Sequence, residues 1–268
     1  MRLDPAAAAA GFRLIARDTL DSTNAEALRH AQQHTGEASP LWITAREQTA
    51  GRGRRGNTWS SLPGNLYATL LMKGPASLRH APQLSFVAAL AVHDVILDCA
   101  PELRARLTLK WPNDVLCGGA KLAGILLESH LLGASLALAI GIGVNCLNHP
   151  SQTPYPATDL ATVGARVSSD DLFSALSHTM MRRLDQWRGG EGFSAIRSDW
   201  LDRASGLGGE MQARLPGRTL IGRFEALDEA GCLLLRLADG SIETIVAGDV
   251  IERPRQSIAG GTEVHGAG

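Results

Sequence analysis

The segment "AGRGRRGNTWSSLPGN" (residues 50–65) is the first test of the fold class, because its glycines match the G-x-G-x-x-G pattern of a dinucleotide-binding turn. Such a turn needs a strand before the glycines and a helix after them, so that the helix N-terminus faces the pyrophosphate. The residues after Gly56 begin no helix, and no acidic residue stands where a ribose hydroxyl would be bound. The segment therefore argues against a Rossmann-type sheet and predicts a loop between two strands.

The sequence predicts several strands before and after this loop. Residues 41–48, just before the loop, alternate between apolar and polar side chains, and residues 65–72, after it, are apolar and rich in β-forming types. A short strand is expected at 106–111, where Pro112 would end it. Residues 121–145 predict a hairpin of two buried strands that turns near Gly133.

Four helices are expected. The first lies in "DSTNAEALRHAQQH" (21–34), where Thr23 and Glu26 match a T-x-x-E capping box. The second, within 82–100, is expected to be mostly buried, since apolar residues surround much of its circumference. The remaining two helices are expected within 169–187 and 192–204.

The sequence changes character at about Gly208, where short β-rich runs are separated by Pro-Gly, Glu-Ala-Gly and Asp-Gly turns. This pattern predicts a small all-β domain, such as an SH3-like barrel. The glycine-rich C-terminal residues lack periodicity and are expected to be disordered. The chain is therefore expected to divide into a larger domain (1–207), a small β domain (208–255) and a tail (256–268).

Composition excludes several classes of protein. The 27 acidic residues nearly balance the 26 basic ones, so any recognition of phosphate has to be local. The N-terminus does not match a signal peptide, and no apolar segment is expected to approach the roughly 20 residues of a membrane span. The four cysteines lack metal-binding spacing and are expected to be reduced, mostly buried thiols. We therefore expect a cytoplasmic protein that binds neither DNA nor a membrane.

The arginine loop, defined as residues 51–59, combines three arginines with three glycines in its first six positions. Glycines make a loop costly to order, and the planar guanidinium of arginine suits bidentate contacts with phosphate or carboxylate. A solvated charged loop is the plain alternative, whereas a nucleic-acid surface would need further basic stripes with interleaved aromatic residues. The composition favours a loop that closes over an anionic ligand.

A second group of polar residues follows in "KWPNDV" (110–115) and "KLAGILLE" (121–128). Lys110, Asn113, Asp114 and Lys121 lie at expected strand ends. Either lysine alone could be a surface residue whose stem covers apolar area. Together these groups suit a site that moves charge between a carboxylate and a triphosphate.

Five motifs in this order resemble those of the biotin protein ligases: "DSTN" (21–24), "EQTAGRGRRGNTWSS" (47–61), "KWPNDV" (110–115), "KLAGILLE" (121–128) and "GIGVN" (141–145). The resemblance implies an α+β fold, in which helices pack on a mixed, largely antiparallel sheet of the class II aminoacyl-tRNA synthetase type. It also implies an SH3-like C-terminal domain, with the catalytic biotin- and ATP-binding domain in 1–207. The implied reaction joins biotin to a lysine of a biotin carboxyl carrier protein through biotinyl-5′-adenylate, with ATP and Mg²⁺.

The resemblance also implies roles for individual residues. The biotin-binding residues would be Ser22, Thr23, Asn24, Gln48, Gly51, Arg52, Lys121, Gly124 and Gly141. The residues that bind ATP or the adenylate would be Arg52, Arg54, Arg55, Trp59, Asn113, Lys121 and Asn145. The catalytic groups would be Lys121, Arg52, Asp114 and Lys110. Core burial is the alternative for Trp59, Ser22 and Thr23 can also cap their helix, and the resemblance does not assign Mg²⁺ ligands.

Three other functions are open to such a chain, and the full set of cations argues against one of them, a binding module without catalytic activity. A lipoate or octanoate protein ligase has the same kind of core, but its R-R-x-S-G-G-G loop is absent here. A biotin-sensing DNA-bound repressor would need an added N-terminal domain, and only 20 residues precede Asp21. A monofunctional ligase is therefore expected, with a biotin carboxyl carrier protein as partner and a homodimer as one possible oligomeric state.

Overall fold

The computed structural model describes residues 1–34, 40–74, 79–133 and 135–252. They form two units, one of Met1–Ser205 with Leu227–Gly231 and one of Gly206–Ala226 with the described residues from Cys232 to Glu252. The expected disordered tail at 256–268 lies outside the described residues.

A seven-stranded sheet forms the centre of the first unit. Its strands are β1 (Arg13–Leu20), β2 (Leu41–Gln48), β3 (Leu66–Lys73), β4 (Leu107–Lys110), β5 (Asp114–Cys117), β6 (Ala120–Leu132) and β7 (Ser135–Val144). Their order across the sheet is β1-β2-β3-β7-β6-β5-β4. Only β1 and β2 run parallel, and the remaining neighbours are antiparallel. The expected mixed, largely antiparallel sheet is confirmed, as is the hairpin over 121–145.

Five helices accompany this sheet: α1 (Pro5–Ala9), α2 (Thr23–Gln33), α3 (Leu84–Cys99), α4 (Ser169–Trp187) and α5 (Phe193–Leu201). The stretch Ala81–Cys99 is long and apolar enough to cross a membrane, judged by length and composition alone. The prediction that no apolar segment approaches the length of a membrane span is therefore wrong. Most of that stretch, 72 %, is buried inside the protein. Its apolar character is therefore that of a core helix.

The start of α2 differs from the expected capping box. Its N-cap is Ser22, whose Oγ accepts a hydrogen bond from the Ala25 N–H at 3.4 Å. Thr23 instead lies in the first turn, and its N–H and Oγ1 contact Gln48 Oε1. Glu26 forms an ion pair with Arg29. The T-x-x-E assignment is wrong because the Thr23 side chain has a partner on β2.

The second unit is a five-stranded sheet. Its strands are β8 (Glu210–Leu215), β9 (Arg218–Leu227), β10 (Leu233–Arg236), β11 (Ile242–Ile245) and β12 (Asp249–Glu252). Their order is β11-β10-β9-β8-β12, and β8 pairs antiparallel with both of its neighbours. The expected all-β character is confirmed.

The four cysteines are free thiols, as expected. Only Cys117 and Cys146 are buried, whereas Cys99 is exposed. Burial raises the pKa of the Cys146 thiol to about 12. The expectation that the cysteines are mostly buried is therefore met for two of the four.

Candidate functional site

The arginine loop folds as a small hairpin. Arg52 and Thr58 form an antiparallel bridge, and a single 3₁₀ turn covers Arg54–Gly56 between them. Arg55 lies in this turn with φ at 55°, in the left-handed region that non-glycine residues rarely adopt. The structure describes residues 57–65, directly after Gly56, without an α-helix, and this agrees with the sequence-based argument against a dinucleotide-binding turn.

A cluster of polar side chains lies where α2 meets the sheet, and we call it the polar cluster. Its members are Ser22, Thr23, Asn24, Gln48, Ser61, Thr69 and Glu128. The Thr23 N–H donates to Gln48 Oε1 at 2.8 Å, and Gln48 Nε2 donates to Ser61 Oγ at 2.9 Å. Ser22, Thr23 and Asn24 are buried. Hydrogen bonding among these groups compensates for their removal from water.

Asn24 and Glu128 join this cluster to the arginine loop. Asn24 Nδ2 donates to Leu126 O at 3.2 Å and to Glu128 Oε2 at 2.8 Å. The other carboxylate oxygen of Glu128 lies 3.2 Å from an Arg52 guanidinium nitrogen. Two predicted biotin-binding residues, Asn24 and Arg52, are thus linked through a carboxylate that the sequence did not single out.

Two of the predicted biotin-site glycines pack against the polar cluster. A Cβ on Gly141 would lie 2.4 Å from Asn24 Oδ1, and one on Gly51 would lie 2.5 Å from Ser61 Oγ. Both distances are too short for real Cβ atoms. These glycines allow the polar side chains to approach the backbone closely.

Trp59 lies on two other glycines. Gly124 and Gly143 are partners in the pairing of β6 with β7. A Cβ would lie 2.9 Å from the Trp59 ring at Gly124 and 2.6 Å from it at Gly143. The flat indole thus covers bare sheet backbone, and Trp59 is half-buried. Its buried Nε1 has no hydrogen-bond partner among the described residues.

Lys121 and Asp114 form a close ion pair beside this tryptophan. Lys121 Nζ lies 2.7 Å from Asp114 Oδ1, and the two side chains are 15 % and 16 % exposed. The ammonium also lies 5.5 Å from the ring centre of Trp59 and 5.3 Å from that of Tyr155, both suitable for cation–π attraction. Lys110 is the register partner of Asp114 on β4, so its side chain lies on the same face of the sheet.

The two predicted nucleotide-binding asparagines contact protein groups. Asn113 Nδ2 donates to Ile125 O at 2.6 Å, and its Oδ1 accepts from Arg54 at 3.1 Å. Asn145 Nδ2 donates to Thr158 O at 3.0 Å. Asn113 is thus placed against the arginine loop, whereas Asn145 holds the segment after β7.

The structure brings most of the predicted residues into direct contact with one another. The contacting sets are Thr23 with Gln48, Arg54 with Asn113, Asp114 with Lys121, Asn24 with Gly141, and Trp59 with Gly124 and Lys121. The side-chain partners of Ser22, Arg52 and Asn145 are Ala25, Glu128 and Thr158, none of which was predicted. Lys110 shares a face of the sheet with Asp114.

Four further residues of the site were missed: Ser61, Thr69, Glu128 and Tyr155. A polar residue among apolar ones was the available signal for Thr69 on β3, and a carboxylate directly after the apolar run of residues 122–127 was the signal for Glu128.

Family models match both units. The Biotin/lipoate A/B protein ligase family matches residues 16–145, and the Biotin protein ligase C terminal domain matches residues 206–253. A biotin--[acetyl-CoA-carboxylase] ligase of Paracoccus denitrificans is 43 % identical over 228 residues, covering 81 % of this chain and 91 % of that protein. The bifunctional ligase/repressor BirA of Bacillus subtilis is 32 % identical, covering 90 % of this chain and 74 % of that protein.

Solved structures agree with these matches. The biotin protein ligase of Aquifex aeolicus in complex with biotin and ATP superposes with a TM-score of 0.74 at 26 % identity, covering 90 % of this chain and 98 % of that one. The Leishmania major biotin protein ligase in complex with biotinyl-5-AMP gives 0.64 at 26 % identity, covering 88 % and 99 %. Sequence, fold and site geometry thus agree, and the chain belongs to the biotin protein ligase family.

Proposed function

We propose that this chain attaches biotin to one lysine of a biotin carboxyl carrier protein in two steps. In the first step, the biotin carboxylate attacks the α-phosphate of ATP, which gives biotinyl-5′-adenylate and releases pyrophosphate. In the second step, the lysine amine attacks the adenylate carbonyl and AMP leaves. The observation that carries this proposal is the Lys121 ammonium, which lies over the rings of Trp59 and Tyr155 and has Asp114 as its one anionic partner among the described residues.

Lys121 suits the first step because negative charge accumulates where the carboxylate meets the phosphate. An ammonium has three N–H donors, and the Asp114 carboxylate accepts from only one of them. The remaining donors are available to a carboxylate and an α-phosphate oxygen, which they would hold together. Because Lys121 is largely buried, its charge acts with little screening by water.

Biotin binding is assigned to the polar cluster. A cyclic urea carries one carbonyl acceptor and two N–H donors, and the cluster consists of hydroxyl and amide groups of both kinds. Arg52 is held beside this cluster by Glu128. The apolar chain of biotin would follow the bare backbone of β6 and β7, where Trp59 lies on Gly124 and Gly143.

Nucleotide binding is assigned to the arginine loop and its surroundings. Arg54 and Arg55 would fold over the adenylate and exclude water, with Trp59 beside the adenine and Lys110 near the departing phosphates. The contact of Arg54 with Asn113 supports this assignment, because it joins the loop to a second predicted nucleotide residue. The described residues contain no group of three or more His, Cys, Asp or Glu that could hold a metal. Mg²⁺ would enter as the counter-ion of the ATP substrate.

Asp114 is assigned to the second step. The acceptor lysine is normally protonated at neutral pH and has to lose a proton before it attacks. A carboxylate within reach of the amine can orient it and accept that proton. Asp114 also neutralises Lys121, so its charge is balanced in the absence of substrates.

A lipoate or octanoate protein ligase remains the second candidate, because the matching family model includes lipoate ligases. Neither a dithiolane ring nor an alkyl chain can satisfy a buried group of hydroxyls and amides. Leaving such groups without partners costs about 1–3 kcal/mol each. The polar cluster therefore favours biotin.

The proposal is tested by incubating the protein with ATP, Mg²⁺, a purified biotin carrier domain and either biotin, lipoate or octanoate. Peptide mass spectrometry should find biotin on one lysine of the carrier, and no modification when that lysine is replaced by Arg. Attachment of lipoate or octanoate in preference to biotin would contradict the substrate assignment.

A further inference from the structure

Glu128 is the one carboxylate of the polar cluster, and it contacts Asn24 as well as Arg52. It lies on β6 opposite Ala139, with 26 % of its side chain exposed. One of its oxygens accepts from Asn24 Nδ2 at 2.8 Å, and the other faces Arg52 at 3.2 Å. A carboxylate can only accept hydrogen bonds when it is ionised, so its neighbours have to donate to it.

This requirement fixes the orientation of the Asn24 amide. Leu126 O and Glu128 Oε2 are both acceptors, so the amide nitrogen of Asn24 has to face them. Its Oδ1 therefore points towards Thr69 Oγ1, at 2.7 Å. Because Oδ1 can only accept, the single hydroxyl hydrogen of Thr69 is committed to Asn24.

The same reasoning extends to Thr23. Thr69 Oγ1 lies 2.8 Å from Thr23 Oγ1 and has no hydrogen left to donate. The Thr23 hydroxyl hydrogen has two acceptors within the protein, Thr69 Oγ1 and Gln48 Oε1, the latter at 3.1 Å. When this hydrogen is donated to either acceptor, Thr23 has none left for a ligand. Thr23 Oγ1 can then only accept a hydrogen bond from the ligand.

The ligand donors of the cluster lie on two other residues. Ser22 Oγ accepts a hydrogen bond from the Ala25 N–H of the helix. The hydroxyl hydrogen of Ser22 is not donated to any described residue. Gln48 Nε2 uses one hydrogen for Ser61 and keeps the second. The cluster thus presents two donors, from Ser22 and Gln48, and one acceptor, from Thr23. A urea carbonyl and one urea N–H would complement this pattern.

We propose that Glu128 is a positioning residue that sets this donor and acceptor pattern, acting on Thr23 through Asn24 and Thr69. The inference rests on the proposed function, because it concerns the recognition of biotin. An amide at position 128 could donate to Asn24 Oδ1 and so support a flipped Asn24 amide, at the expense of the 3.2 Å hydrogen bond from Asn24 to Leu126 O. The flip would reverse the chain of hydrogen bonds, and the Thr69 hydroxyl could then donate to Thr23 Oγ1. The Thr23 hydroxyl hydrogen could then turn towards the ligand N–H, where a donor would meet a donor and no hydrogen bond would form. A carboxylate excludes that second arrangement.

The test measures biotin affinity by isothermal titration calorimetry for Glu128→Gln, Thr69→Val and the double variant. Losing an oriented hydrogen-bond acceptor should raise the Kd for biotin about tenfold in each single variant. The double variant should also lose about tenfold, because both changes break one chain. In pyrophosphate exchange the KM for biotin should rise by the same factor as the Kd, while the KM for ATP stays within about threefold of the wild type, a split that a general structural defect would not give.

Two controls accompany these variants. Glu102→Gln makes the same chemical change at an exposed site and should leave the Kd unchanged. Thr69→Ser restores the hydroxyl and should bind biotin within about twofold of the wild type. If Glu128→Gln does not fold, the comparison of Thr69→Val with Thr69→Ser decides alone, and equal affinities would overturn the proposal.

The outcomes separate this proposal from the proposed function. A wild-type protein that does not bind biotin overturns both. If the wild type binds biotin, an unchanged Kd for Glu128→Gln overturns the role of Glu128 only. Losses that multiply to about a hundredfold in the double variant would show that Glu128 acts independently of Thr69, for example through Arg52, and would also overturn the proposal.

Discussion

Two groups of charged residues in the first unit have similar short distances but different surroundings. Arg183 on α4 contacts Asp94 on α3 at 2.6 Å and Asp199 on α5 at 2.5 Å. It also donates to Gln186, so its guanidinium is surrounded by acceptors. Lys121 contacts Asp114 at 2.7 Å and otherwise faces aromatic rings.

This difference separates a group that stabilises the fold from one that is available to substrates. Burial acts to raise the pKa of the Asp94 carboxyl, but the neighbouring His93 and the charge and hydrogen bonds of Arg183 lower it overall. The pKa of Asp199 is lowered against the same effect of burial by hydrogen bonds from Gln186 and Arg183. Lys121 keeps donors for a ligand. The comparison predicts that Lys121 variants lose activity, whereas Arg183 variants lose stability.

The largest expected effect is that of Lys121→Ala on adenylate formation. Removing a cation that stabilises charge in the transition state should slow biotin-dependent pyrophosphate exchange by about 10²–10³-fold. The thermal unfolding midpoint, measured beside it, shows whether the variant is folded. Exchange above about a tenth of the wild-type rate in a folded variant would contradict the role of Lys121.

Arg183→Met should have the opposite profile. It leaves two carboxylates without their cation and should lower the free energy of unfolding by about 3–5 kcal/mol, measured with urea. The exchange rate of the folded protein at low temperature should be unchanged. An Arg183→Met variant as stable as the wild type would contradict the structural role of the network.

A smaller and selective effect is expected for Asp114→Asn. If the carboxylate accepts the proton of the acceptor lysine, its loss should slow transfer from preformed adenylate about tenfold more than it slows adenylate formation. Rapid-quench measurements of the two half-reactions give both rates. Equal losses would instead assign Asp114 to the placement of Lys121 alone.

The smallest expected effect is a change in protein stability at acidic pH. The folded-state pKa values of Asp94 and Asp199 lie below the unfolded value of about 3.9, so their stabilisation is present above that pH and is lost as the pH falls through the folded values. Urea titrations between about pH 5 and pH 2 should therefore show the stability difference between wild type and Arg183→Met becoming smaller. A constant difference would exclude these carboxylates as its source.

The sequence predicted most of the fold because buried strands and helices have strong apolar patterns. It missed β1, an edge strand in which most side chains are exposed and arginine and aspartate interrupt the apolar residues. It also missed α1, whose short alanine run has little amphipathic pattern. Both elements lack the hydrophobic periodicity on which such predictions depend.

Within the site, motifs predicted residues close to one another in the chain, but not the links between motifs. Glu128 ends the motif "KLAGILLE", yet its partner Asn24 lies on α2, 104 positions away in the sequence. Thr69 reaches the cluster through the position of β3 beneath α2. Such links depend on strand order and helix packing, which local sequence patterns do not specify.

The most direct test of the central claim is biotin-dependent exchange of labelled pyrophosphate into ATP, with lipoate and octanoate measured in parallel. The proposed chemistry predicts exchange with biotin alone, and its loss in Lys121→Ala. Exchange with lipoate or octanoate instead would contradict the assignment of the polar cluster to biotin. No exchange with any of the three, from folded protein with Mg²⁺, would contradict the adenylate mechanism itself.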